Sequence, residues 1–210
     1  MKGFWEQSWS TVDLNRVSAY IGNSGFPPDP VMEYLKSRQV KTVCDAGCGC
    51  GAYALRLAVN GFQVSGFDMS SAAADMARKL LESKGIYSAD FRAADVLATG
   101  YADGQFDAVV SRDVIDHMPL RDGIAAVREL CRITKDGGTV VLTLDRTDEE
   151  YEREPHTVNG DGDYLFSDGK WKGMVFHPYS EEQIPLLVQG GVVKRLEVDS
   201  EGFLLFLSKA

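Results

Sequence analysis

The sequence predicts a doubly wound α/β fold, with helices on both faces of a mostly parallel sheet, and three observations predict it. From about residue 40 to 145, short apolar β-rich runs alternate with longer stretches whose apolar residues recur at helical spacing. A glycine-rich segment, residues 44–51, stands between the first run and the first stretch. The chain has 210 residues, 44% hydrophobic and 25% charged, enough for one sizeable core.

Residues 1–39 predict a helical cap anchored by Trp5, Trp9, Val12, Val17 and Tyr20. Pro27-Pro28-Asp29-Pro30 breaks it before a second helix at Val31–Ser37. In the core, 40–145, the expected strands are Thr42–Cys44, Gln63–Phe67, Asp90–Ala93, Ala108–Ser111 and Thr139–Leu144, each short and apolar, as buried parallel strands are. Tyr53–Val59, Ser71–Lys84 and Leu120–Ile133 read as the crossing helices, stopped at Gly61, Gly85 and Gly137–Gly138. Residues 146–179 form a polar insertion. Residues 180–210 predict a helix near Glu181–Gln189 and an antiparallel hairpin of Val192–Val198 and Phe203–Leu207, which brings the sheet to seven strands.

Acidic residues outnumber basic ones by 31 to 22, a formal charge of −9 that repels nucleic-acid phosphates and anionic lipid surfaces. Apolar runs such as Thr139–Leu144 are far below the roughly 18 residues of a spanning helix, and Met1–Glu6 lacks a secretory apolar region. The expectation is a cytoplasmic protein with no membrane or nucleic-acid partner, monomeric or homodimeric. Cys44, Cys48 and Cys50 crowd into seven residues, neither a disulfide framework nor a zinc-ribbon spacing, so reduced thiols are expected. Asn159-Gly-Asp161-Gly-Asp163 suggests a calcium loop, but Tyr164 and Lys170 stand where the loop needs glycine and glutamate, so no metal is expected.

Chemistry concentrates in Cys44-Asp45-Ala46-Gly47-Cys48-Gly49-Cys50-Gly51. Following a strand and opening a helix, this turn lets backbone amides approach a ligand closely. Two cofactor classes compete. Gly47, Gly49 and Ala52 satisfy the dinucleotide spacing G-x-G-x-x-G/A, while Asp45, Gly47, Gly49 and Gly51 satisfy D-x-G-x-G-x-G. A carboxylate at this turn repels a pyrophosphate and suits S-adenosylmethionine, which brings an ammonium and a sulfonium. Asp68, 19 residues after Gly49, ends the second strand, where it can accept both ribose hydroxyls of either cofactor.

With Asp95-Val96 after the third strand and Ser111-Arg112-Asp113 at the end of the fourth, the chain resembles the class I S-adenosylmethionine-dependent methyltransferases over residues 40 to 145. The resemblance implies a Rossmann-like fold with S-adenosylmethionine as cofactor. It implies that Asp45, Gly47, Cys48, Gly49 and Gly51 hold the methionine part, Asp68 the ribose, and Met69 the adenine face. It further implies that Asp95 and Val96 hold the adenine amine and edge, and that Ser111 and Arg112 line the pocket floor. The pattern is most similar to the small-molecule branch, near the quinone-biosynthesis methyltransferases. No Asn/Asp-Pro-Pro-Tyr/Phe signature of nucleic-acid amine methylation follows the fourth strand.

Methyl transfer from a sulfonium is an in-line displacement that alignment and desolvation accelerate. For a hydroxyl or thiol acceptor a base helps, and His117, just past the fourth strand, is the catalytic candidate, with Asp113 to orient it or the substrate. Asp116 reads as a helix cap, and Ser180 with Gln183 as a capping box. His156 and His177 are further candidates to face the acceptor. Trp5 and Trp9, four apart on one helical face, either roof the cofactor or anchor the cap. The span Asp145–Asp168 holds nine acidic and two basic residues and is read as a lid favouring neutral or cationic acceptors. The alternatives are an NAD(P)-dependent oxidoreductase and a non-catalytic cofactor-binding regulatory module.

Overall fold

A computed structural model describes the chain apart from positions 1, 25, 27, 148, 190, 200, 201 and 210 and the side chains of 20–24. Of the expected features, the Tyr20 side chain, Pro27 and the tip of the hairpin turn lie outside the described residues. Three helices come first, α1 (Lys2–Ser10), α2 (Leu14–Ser24) and α3 (Pro30–Ser37). Asp29 starts α3 by accepting the Val31 N–H at 2.8 Å, with Pro30 pre-set for the first turn.

The core follows as β1 (Thr42–Ala46), α4 (Ala52–Val59), β2 (Gln63–Asp68), α5 (Ser71–Ser83), β3 (Asp90–Ala93), β4 (Phe106–Arg112), α6 (Leu120–Ile133) and β5 (Thr134–Asp145). Ser70 caps α5 through the Ala73 N–H at 3.1 Å. The apolar stripe of α6 buries Ala126, Val127, Leu130 and Ile133 completely. β4 and β5 are both longer than their apolar centres, because pairing with neighbours carries the ladder outward.

Beyond β5 lie α7 (Glu149–Arg153), β6 (His156–Val158), β7 (Tyr164–Phe166), β8 (Val175–Phe176), α8 (Ile184–Leu187), β9 (Gly191–Val198) and β10 (Gly202–Lys209). The main sheet has seven strands in the order β3-β2-β1-β4-β5-β10-β9, and β10 runs antiparallel to both β5 and β9. The expected hairpin sits on the sheet edge with its later strand innermost. One face packs against α3, α4 and α5, the other against α6 and α8. The strand order reverses between β1 and β4, which opens a crevice at their carboxyl ends.

Two expectations are corrected, and the polar insertion gains elements that the sequence did not show. Gly137–Gly138 do not stop α6, which ends at Ile133; they lie in a bulge of β5, where the register jumps from Phe106 opposite Thr134 to Ala108 opposite Thr139. The late helix is shorter than expected, a 3₁₀ turn Glu181–Gln183 followed by α8. The 146–179 insertion is not featureless: β6, β7 and β8 form a second antiparallel sheet. Its Phe166, Met174 and Phe176 are buried against Phe4, Trp5, Tyr151 and Trp171. Among the described residues, no helix is long and apolar enough to cross a membrane.

Candidate active site

A cavity of about 1080 Å³ opens over the carboxyl ends of β1, β2 and β4, roofed by Trp5 and Trp9 of α1. Its floor is the turn between β1 and α4. The Gly47 and Cys48 N–H groups both donate to the Phe67 carbonyl, at 2.8 and 2.9 Å, pinning the turn to the end of β2. Gly47 has a φ of +78°, and a Cβ there would stand 2.3 Å from Val114 Cγ2, so any other residue would be strained and would displace Val114 of the β4 loop.

Asp45 is 3% exposed and lines the cavity, and its Oδ2 has no hydrogen-bond partner among the described residues. Burial pushes its carboxyl up to about 7, against the opposing pull of Arg112. An unpartnered carboxylate oxygen at the cavity fits a cationic ligand group and disfavours a pyrophosphate. Asp68 Oδ2 accepts the Gly49 N–H at 3.0 Å and Oδ1 the Ser70 N–H at 2.9 Å. Each oxygen keeps a lone pair for a ribose hydroxyl. Gly47, Cys48, Gly49, Met69, Val96 and Arg112 also line the cavity, with the Arg112 guanidinium 4.7 Å over the Tyr53 ring.

Three expected cofactor residues stand outside this lining. Gly51 serves helix packing instead: at φ +82°, a Cβ there would lie 2.6 Å from the Ala77 Cα, so its absence lets α4 meet α5. Ser111 is fully buried within β4. Asp95 is exposed and turns back to accept the Leu97 N–H at 2.9 Å.

His117 lines the cavity, its ring 5.0 Å from Trp5 and 5.8 Å from Phe176 between centroids. Its Nδ1 is buried without a partner among the described residues. Burial lowers its basicity, while the charges of Asp145 and Asp113 partly restore it, which favours a neutral imidazole able to take a proton. Asp113 also lines the cavity; it has a φ of +54°, and its N–H donates to Thr143 Oγ1 at 3.0 Å while that hydroxyl donates back to its carboxylate.

Asp116 is not the expected cap. It is buried in a 3₁₀ turn, Ile115–His117, where it accepts the Asp145 N–H at 2.9 Å, and α6 begins only after Pro119. The expected partnership of Ser180 and Gln183 is present, with the Ser180 N–H donating to Gln183 Oε1 at 3.0 Å. Neither His156 nor His177 reaches the cavity: His156 stacks on Tyr164 at 4.4 Å, and His177 pairs with Asp163 behind the His117 loop.

Sequence reasoning missed Arg16, Phe26, Tyr53 and Arg56 as lining residues. Asp29 gathers two of them, accepting the Tyr53 hydroxyl at 3.1 Å and pairing with Arg56 at 3.2 Å. The only local signal was the Asp29-Pro30 helix start, which says nothing about α4. Asp145 stands outside the cavity lining but acts on His117 through its charge; half-buried and pushed up to about 6 mainly by burial, it was also missed because it marked only a strand end.

A glycine turn after β1, a carboxylate ending β2 and a cavity at the switch point define a Rossmann-like domain for an adenosine-bearing cofactor. Residues 43–138 match the family model described as a methyltransferase domain. That match supports the resemblance of this core to the class I S-adenosylmethionine-dependent methyltransferases. The chain is 33% identical over 114 residues to tocopherol O-methyltransferase of Arabidopsis thaliana, a match covering 53% of this chain and 32% of that protein. It is 35% identical over 115 residues to ubiquinone biosynthesis O-methyltransferase of Pseudomonas paraeruginosa, covering 53% of this chain and 47% of that one. It therefore spans about half or less of the length of these curated relatives. A solved S-adenosylmethionine-dependent methyltransferase from Methanosarcina mazei superposes with a TM-score of 0.72 at 20% identity, covering 88% of this chain and 99% of that one, which shows a shared fold.

Proposed function

We propose that this chain is an S-adenosylmethionine-dependent methyltransferase acting on a small molecule, with a hydroxyl on an aromatic ring as the acceptor group. The observation that carries it is one cavity lined by Asp45, Asp68 and His117, an imidazole whose Nδ1 has no hydrogen-bond partner among the described residues. When bound, S-adenosylmethionine supplies a methyl group on a sulfonium, a leaving group already activated.

In this reading Asp45 faces the cofactor's ammonium, Asp68 accepts from the ribose hydroxyls, and Met69 and Val96 cover the adenine. Trp5 and Trp9 exclude water from above. His117 removes the acceptor's proton, and Asp113 and Asp145 stabilise the imidazolium that results. The aromatic hydroxyl is favoured by the Trp5 ring beside His117 and by the two O-methyltransferases among the relatives. The net charge of −9 argues against nucleic acid as acceptor, and a cytoplasmic monomer or homodimer is the simplest setting.

The test is a panel of phenols and catechols incubated with S-adenosylmethionine, with S-adenosylhomocysteine release as readout. Turnover on at least one acceptor is expected, and His117→Ala should lower kcat by about 10²–10⁴-fold while S-adenosylhomocysteine affinity stays within about twofold. Tight cofactor binding with no turnover on any acceptor would favour a regulatory module instead.

A further inference from the structure

The 146–179 insertion contains a buried polar pair that the proposed chemistry does not use. His177 and Asp163 are each 1% exposed, and His177 Nδ1 lies 2.8 Å from Asp163 Oδ1. A pair so removed from water adds little net stability over apolar side chains of the same volume. Its other bonds supply a second role.

Asp163 Oδ1 also accepts the Leu120 N–H at 3.0 Å, and its Oδ2 accepts from Asn159 Nδ2 at 2.6 Å. Leu120 opens α6 directly after Pro119, whose side chain has no oxygen to offer the helix start. Asp163 therefore caps α6 from 43 residues away. On the opposite side, the His177 N–H donates to the Asp116 carbonyl at 2.7 Å. The preceding residue, Phe176, is fully buried and packs on the His117 ring. The pair is thus tied to both ends of the short loop that carries His117, at Asp116 and at Leu120.

We propose that Asp163 and His177 are positioning residues, which hold the 116–120 loop and through it aim the His117 ring at the acceptor. This rests on the reading of His117 as the base. The acidic insertion then acts as a brace behind the site, through one buried carboxylate, whatever its exposed carboxylates do for the acceptor.

The test uses the full chain and two substitutions. Asp163→Ala is expected to lower kcat by about ten- to hundredfold, the scale of a misplaced catalytic group, with S-adenosylhomocysteine affinity within about twofold of wild type. Asp163→Asn keeps an oxygen for the Leu120 N–H but sets a neutral amide against His177 Nδ1, so it should disturb the loop less and retain more of kcat than the alanine variant. Unchanged kcat in Asp163→Ala, or an equal loss of cofactor affinity, would overturn the proposal. Imidazole NMR of Asp163→Asn gives an arm that needs neither turnover nor the alanine variant. The His117 resonances should move while those of His156 stay, and unmoved His117 resonances would also overturn it. If wild type turns over no acceptor, the reading of His117 as a base fails separately, and the NMR arm still decides whether the pair positions its ring.

Discussion

The two carboxylates of the cofactor half show how one residue type serves two tasks through its surroundings. Asp68 is organised by backbone amides, with the Gly49 and Ser70 N–H groups each fixing one oxygen, so it meets a ribose already oriented. Asp45 keeps an oxygen bare in a buried place, which costs desolvation until a cation arrives. Replacing Asp68 by Ala removes the charged acceptor and leaves the Gly49 N–H without its partner. S-adenosylhomocysteine binding should weaken by about 1.5–3 kcal/mol, roughly ten- to 150-fold, measured by calorimetry. Unchanged affinity would remove Asp68 from the ribose site.

At the scale of elements, β1, β2 and their following turns were legible in the sequence because each carries its own signal. A buried apolar run, a glycine turn and a carboxylate at fixed spacing act within about 25 residues, so Asp45, Gly47, Gly49 and Asp68 were all readable. The second sheet was not, because β6 and β8 have three and two residues, and only aromatic packing across the insertion gives them a reason to pair. Arg16 and Phe26 reach the cavity through the way α2 and its following connection lie over the core, a long-range matter with no local pattern. Asp116 was misread for a related reason: an aspartate three residues before Pro119 looks like a cap, and only its bond to Asp145 reveals otherwise. Helix α1 has its own consequence. It contains no fully buried residue, yet Glu6 accepts the Ser71 N–H at 2.9 Å and the Ser71 hydroxyl at 3.0 Å, holding Trp5 and Trp9 over the cavity. Trp9→Ala should therefore weaken S-adenosylmethionine binding by about three- to thirtyfold, the ~0.5–2 kcal/mol of a ring facing a cation. The melting temperature of the free protein should barely change. A large drop in melting temperature with intact affinity would make Trp9 a core anchor instead.

For the whole molecule, buried carboxylates set a dependence of stability on pH that is unusual in its sign. Asp45 and Asp116 are pushed up to about 7 and Asp145 to about 6, all chiefly by burial. Between about pH 4 and 7 the folded chain therefore keeps protons that the unfolded chain has released, so these groups lower stability as pH rises through that window. The net charge of −9 adds self-repulsion in the same direction. His117 opposes them, since its lowered basicity makes the unfolded chain hold the extra proton near neutrality, but burial raises Asp68 as well, so it is one group against four. On the acid side, hydrogen bonds from Arg132 and Thr99 hold Glu129 down to about 2, and Asp107, bonded to Lys135 and Thr42, is held low as well. Their contribution is present above the ordinary carboxylate range and is lost as pH falls through about 4 to 2. The free protein should accordingly melt highest near pH 5, followed by circular dichroism at constant ionic strength from pH 3.5 to 8.5. S-adenosylhomocysteine brings an ammonium that favours ionised Asp45, so the rise in melting temperature it produces should grow from pH 5 to 8. Asp45→Asn should flatten both trends. A melting temperature that climbs steadily from pH 5 to 8 in the free protein would mean that Asp45, Asp116 and Asp145 are ionised in the fold without penalty, and the bare carboxylate of Asp45 would then lose its place as the cation-selecting group of the site.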